Sequence, residues 1–140
     1  MRFRYVAFVA ATVAAVAWNT HASASGYHPV AETADQVMLL DVDTIIRVGE
    51  MKRGWAVVFY AKEQTTDGVP CCYNKAMVEY EVRCSSREQR VRSIVLYRPD
   101  NSVLGRVDGA ERPWLGIPPE TIVSTVSSVI CADNLDSLQV

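Results

Sequence analysis

Histidine is almost absent from this 140-residue chain: only His21 and His28 occur. A Ser-His-Asp or Cys-His nucleophile needs a positioned imidazole. His21 falls in an N-terminal export signal and His28 in a polar leader, so triad chemistry is set aside and no enzymatic activity is expected. An excess of basic residues is missing as well. Nucleic-acid binding calls for a basic surface, and the chain carries 14 Lys and Arg against 16 Asp and Glu. No internal repeat and no low-complexity tract occurs. Beyond the N-terminus no apolar run approaches the roughly 20 residues of a membrane-spanning helix.

The single long apolar run is itself informative. Arg2 and Arg4 precede the uncharged stretch YVAFVAATVAAVA, Tyr5 to Ala17, and Ala22-Ser23-Ala24 then fits a small-x-small cleavage site. Basic end, short apolar run and cleavage site in that order read as a secretory signal peptide over residues 1–24. Without Arg2 and Arg4 the mature chain keeps 12 basic residues against 16 acidic ones, a formal charge of −4. The expected location is the periplasm, the cell surface or the medium. All four cysteines, Cys71, Cys72, Cys84 and Cys131, lie in the mature part. In an oxidising compartment an even count reads as two disulfides, with three pairings open.

Residues 25–35, SGYHPVAETAD, are polar and read as a flexible leader; residues 36–133 form one domain and 134–140 a tail. QVMLLDV and DTIIRVGE read as two short strands parted by a turn or bulge at Asp41 and Asp43. GWAVVFYAK, residues 54–62, is apolar on both faces and should be a central strand. EQTTDGVPCCYN, residues 63–74, is loop. AMVEYEVRC, residues 76–84, alternates, with Val78, Tyr80, Val82 and Cys84 inward and Glu79, Glu81 and Arg83 outward. QRVRSIVLYR, residues 89–98, returns antiparallel to it, and a short strand covers residues 103–107. AERPWLGIPP is irregular. In ETIVSTVSSVIC, residues 120–131, the apolar residues Ile122, Val123, Val126, Val129 and Ile130 share one helical face. Pro118 and Pro119 suit its first turn and Glu120 its positive end. The many β-branched residues argue for a strand instead, but the spacing favours a helix. The expected class is α+β: an antiparallel sheet of about five or six strands covered by a C-terminal helix.

The order and spacing of MLLDVDTIIRVG, GWAVVFY, VEYEVRC, REQRVRSIVLY and PWLGIPPETIVSTVSSVIC resemble the surface-adhesin protein E family of bacteria. The resemblance spans residues 37–131. It implies a C-terminal helix tied to the sheet by a disulfide, which maps onto Cys84 and Cys131, and the face pattern is compatible with that pairing. It also implies non-enzymatic binding of host or extracellular macromolecules, protein or glycan, and a capacity to form homodimers. The family's lipid anchor does not carry over, because no cysteine stands at the cleavage site, and no host-binding residue carries over either.

With Cys84 and Cys131 so assigned, Cys71 and Cys72 are left as an extra pair. A vicinal disulfide is the reading adopted. Reduced thiols holding a soft metal such as Cu(I), intermolecular bridges and scrambled connectivity remain open. The thiol or soft-metal reading is the alternative function, that of a periplasmic thiol or metal-handling protein. The cysteine pair lacks a second thiol pair or histidine to complete a zinc cage, so neither a metal nor another cofactor is expected. Arg83, Arg87, Arg90, Arg92 and Arg98 crowd one hairpin and could bind an anionic ligand. The plainer reading is a solvated strand face, with Glu79 and Glu81 paired across strands to Arg90 and Arg92. Asp41 with Asp43, and Glu79 with Glu81, also read as solvated rather than as a catalytic carboxylate pair. Trp114, beside prolines, is expected to pin its loop to the sheet.

Overall fold

The structure is a computed structural model that describes residues 26–109 and 112–133. The signal peptide, the cleavage site and the tail of residues 134–140 lie outside the described residues. Seven strands precede one helix: β1 Tyr27–Glu32, β2 Gln36–Val48, β3 Met51–Gln64, β4 Tyr73–Arg83, β5 Glu88–Tyr97, β6 Val103–Asp108, β7 Leu115–Gly116 and α1 Ile122–Cys131. The first six form an antiparallel meander in sequence order, and β7 pairs with the start of β5. This is the α+β sheet-plus-helix arrangement expected from the sequence.

Several boundaries move. Tyr27–Glu32 belongs to the sheet as β1, although its residues read as a flexible leader; it pairs along β2 from Tyr27↔Asp41 to Glu32↔Val37. Its composition hides it, because an edge strand is held by backbone hydrogen bonds and tolerates a proline such as Pro29. QVMLLDV and DTIIRVGE form one strand, β2, with a register shift between Asp41 and Ile46. Asp43 N–H donates to Asp41 Oδ1, Thr44 Oγ1 to the Asp41 carbonyl, and Trp55 N–H to Thr44 Oγ1, so local side chains bind the backbone groups the irregularity frees. Gly49, with φ 60°, turns β2 tightly into β3, which therefore starts at Met51 rather than Gly54. The segment 110–119, read as wholly irregular, contains β7.

The sequence VRSIVL explains a second irregularity. Val91, Ile94 and Leu96 can share a face only if one residue is extra, and the register skips Arg92 between Ser93↔Glu79 and Val91↔Tyr80. Such a bulge shifts the alternation by one position. Arg90, Arg92 and Ser93 thereby reach the opposite face together. The chain leaving β6 closes on this bulge: Gly109 N–H donates to the Arg92 carbonyl at 2.6 Å. A Cβ at Gly109 would stand 2.8 Å from the Val91 carbonyl oxygen, so only glycine allows that approach.

One face of the sheet carries the core. Met38, Leu40, Val42, Ala56, Val58, Tyr80 and Val82 are buried there beneath Val126, Val129 and Ile130 of α1. Burying each large aliphatic side chain contributes about 1.5–3 kcal/mol. At Gly54 a Cβ would lie 3.4 Å from Ile130, so the helix packs closely against β3. The helix begins two residues later than its sequence suggests. Thr121 is the N-cap, accepting from Ser124 N–H while Ser124 Oγ accepts from Thr121 N–H. Pro118, Pro119 and Glu120 lie before the cap, and no acidic residue occupies the first turn. Thr121→Ala is expected to cost about 1 kcal/mol, read as a lowered urea midpoint. At the other end Lys52 Nζ donates to the Ala132 carbonyl, satisfying one terminal acceptor.

Candidate functional site

No described helix or second sheet covers the other face. At one corner β3, β4 and β5 bring Arg53, Glu81 and Arg90 into register, with Arg53↔Glu81 and Glu81↔Arg90 as direct partners. The outcome differs from a solvated ion-pair face. Glu81 is 0 % exposed, enclosed by guanidinium groups. Its Oε1 accepts from Arg53 Nε at 2.7 Å and Arg92 Nη1 at 3.3 Å, and its Oε2 from Arg90 Nε at 2.6 Å. Burial acts to raise this carboxyl's pKa, but the hydrogen bonds and charges of Arg90 and Arg53 outweigh it and hold the pKa below its ordinary value. Glu79 Oε2 stands 3.5 Å from Arg92 Nε, so this guanidinium bridges the two glutamates. The cross-strand pairing of Glu79 and Glu81 with Arg90 and Arg92 is present; the solvation of Glu81 is not.

Above this cluster lies Trp114, delivered by the loop before β7. The guanidinium carbons of Arg83 and Arg90 stand 4.0 and 4.6 Å from its ring centroid, within cation–π range. Trp114 is half-buried and does pin its loop, through arginines rather than an apolar pocket. Arg83 is the outermost member, 44 % exposed, with a 3.6 Å contact to Glu88. The corner thus gathers Arg53, Arg83, Arg90 and Arg92 against Glu79, Glu81 and Glu88, with the indole as an aromatic cap.

The five arginines proposed from the sequence do not form one group. Arg83, Arg90 and Arg92 share the corner. Arg98 lies at the far end of the hairpin, donating to Ser102 Oγ and the Val103 carbonyl. Arg87, at φ 54° in the β4–β5 turn, lines a cavity on the helix side. Arg53, outside that group of five, is brought opposite Glu81 by the β3–β4 register.

Cys84 and Cys131 form a disulfide with an S–S distance of 2.01 Å that links the end of the β4 region to the last turn of α1. Cys71 and Cys72 sit sulfur against sulfur in the β3–β4 loop, Cys71 exposed and Cys72 half-buried. No set of three His, Cys, Asp or Glu residues able to hold a metal occurs among the described residues. His28 stands in β1 opposite Leu40, so one imidazole is on the sheet and not in a leader. Asp41 and Asp43 belong to the β2 irregularity.

Comparison with solved structures places this fold. Haemophilus influenzae protein E, in two structures, superposes with TM-scores of 0.56 at 16% identity; the matches cover 76% and 80% of this chain and 87% and 88% of those chains. Protein E from non-typeable Haemophilus influenzae gives a TM-score of 0.55 at 16% identity, covering 83% of this chain and 82% of that one. No curated protein sequence matches the chain. The sequence profile of the family described as surface-adhesin protein E matches residues 27–132, from the first residue of β1 to just past α1. The chain belongs to the surface-adhesin protein E family.

Proposed function

We propose that the chain is an exported, non-catalytic envelope protein that binds a host or extracellular macromolecule through anionic groups, at the arginine–tryptophan corner of its helix-free sheet face. The observation that carries the reading is the family match over residues 27–132, nearly the whole described chain. The corner supports the location. Arg53, Arg90 and Arg92 are held by Glu81 and Glu79, whereas Arg83 is the most exposed of the four and rests on an indole. Arginine on an aromatic plane is preorganised for bidentate contact with carboxylate or sulfate. We also propose that Cys71 and Cys72 form a vicinal disulfide in the β3–β4 loop, separate from this corner.

Heparin is a suitable anionic probe. The mature chain is expected to be retained on immobilised heparin at low salt and released as salt rises. Arg83→Gln should weaken retention by about 2–5-fold, in line with one exposed charge contact, while leaving the urea midpoint nearly unchanged. Absence of retention at low salt, or identical elution of the variant, would refute the corner as the binding surface.

A further inference from the structure

On the helix side of the sheet a cavity of about 160 Å³ opens between α1, the end of β4 and the strand-to-helix connection. It is lined by Val82, Ile117, the Cys84–Cys131 disulfide, Arg87 and the serines 124, 127 and 128. The volume far exceeds the roughly 10–15 Å³ that one water needs.

The polar groups around it are unequally engaged. Ser124 Oγ donates to the Thr121 carbonyl and Ser128 Oγ to the Ser124 carbonyl, so both hydroxyl protons are committed to the helix backbone. Ser127 is only 6 % exposed, and its buried Oγ has no hydrogen-bond partner among the described residues. Buried hydroxyls are normally paired, and one left without a partner calls for an explanation. Arg87 supplies the charge: among the described residues its guanidinium makes no hydrogen bond or ion pair, and only its backbone carbonyl is engaged, by Ile117 N–H. A second buried side-chain oxygen without a partner among the described residues, Gln89 Oε1, belongs to the residue that pairs with Val82, itself a wall of the cavity.

An unpaired cation and an unpaired hydroxyl thus face a space whose other walls are aliphatic carbon, disulfide sulfur and the two backbone-bonded serines, Ser124 and Ser128. We infer that this cavity is a binding site for a small aliphatic monocarboxylate. The carboxylate would meet the Arg87 guanidinium and the Ser127 hydroxyl, both donors, and a short alkyl chain would lie against Val82, Ile117 and the disulfide. A cation is disfavoured by Arg87. A larger anion such as a glycan sulfate lacks the apolar part the walls accept. This site lies on the opposite side of the sheet from the Trp114 corner, so its success or failure does not depend on that of the heparin experiment.

The test is a titration of the ¹⁵N-labelled mature chain, disulfides intact, with propionate, and with propionamide as the uncharged match. Saturable shifts confined to the amides of Arg87 and residues 124–131 are expected for propionate, with propionamide much weaker. Arg87→Gln should reduce propionate affinity about tenfold or more, the loss of a charge-assisted hydrogen bond. Ser127→Ala should also reduce it, while raising the thermal midpoint of the ligand-free protein, because an unsatisfied hydroxyl is removed and alanine favours helix. The two variants fail differently if one misfolds, and each is checked by its own spectrum. Non-saturating shifts, equal responses to propionate and propionamide, or unchanged affinity in folded Arg87→Gln would overturn the site, leaving a cavity filled by water alone.

Discussion

Replacing Cys84 and Cys131 together with alanine is expected to lower the unfolding free energy by about 4 kcal/mol. The two residues are 47 apart in sequence, and opening a closed loop of that length returns a large entropy to the unfolded chain. Domains of this size have a net stability of only about 5–15 kcal/mol, so the loss removes a major share. The location adds to the effect. α1 supplies Val126, Val129 and Ile130 to the core, yet it is short, and isolated helices below about 12 residues are marginal in water. Without the covalent tie the helix should open before the meander does. Hydrogen exchange in the double variant is therefore expected to accelerate first at residues 122–131, with the β2–β5 amides retaining protection longer. A midpoint unchanged by loss of this disulfide, measured with Cys71 and Cys72 left in place, would contradict its role as the clamp of helix on sheet.

Glu81→Gln is expected to cost about 3–5 kcal/mol, because removing one partner of a buried charge cluster leaves the others uncompensated. Arg53, Arg90 and Arg92 would then face a neutral amide that can still accept hydrogen bonds but cannot balance their charge. The pH dependence follows from the lowered carboxyl pKa. Ionised Glu81 stabilises the fold fully at pH values above its ordinary, unfolded value of 4.5. Because the folded pKa lies lower still, protons bind preferentially to the unfolded chain on acidification, and the contribution is lost as pH falls through the folded value. The native protein should hold a steady urea midpoint from pH 7 to about 5 and weaken below that. The variant should be weaker throughout and much flatter in the acid range, so the two curves converge at low pH. A constant separation down to pH 3 would show that the Glu81 charge is not what the arginines require.

Some elements were legible because one property decided them. The alternation from Val78 to Cys84 and the apolar content of β3 survive in the structure as the helix-facing and central strands, since side-chain period and burial depend on nearest neighbours in sequence. The spacing of Val126, Val129 and Ile130 identified α1 for the same reason, against a composition that favoured a strand. β1 was not legible, because its stability comes from the β2 backbone it pairs with, and its sequence carries turn-like residues. The bulge at Arg92 was hidden in plain alternation. Its signal, Val91, Ile94 and Leu96 at spacings of three and two, has meaning only once the helix-covered face is known.

The candidate site divides along the same line. The basic hairpin and the acidic strand beside it were visible, and so was their pairing. Burial of Glu81 was not, because it depends on Arg53 arriving from β3, 28 positions before Glu81, and on Trp114 folding back over Arg83 and Arg90. The same hairpin's arginines ended in three different places: the bulge keeps Arg90 and Arg92 on one face with Arg83, the turn sets Arg87 at the helix-side cavity, and Arg98 stands at the far end. By itself the sequence determined the central strands, the helix and the outline of an antiparallel sheet under one helix, which follow from local periodicity, while the order and spacing of its segments carried the family resemblance. Tertiary structure alone decided which charges are buried, which remain free, and where a cavity opens. Those properties depend on solvent exclusion by distant segments, and a one-dimensional pattern does not encode it.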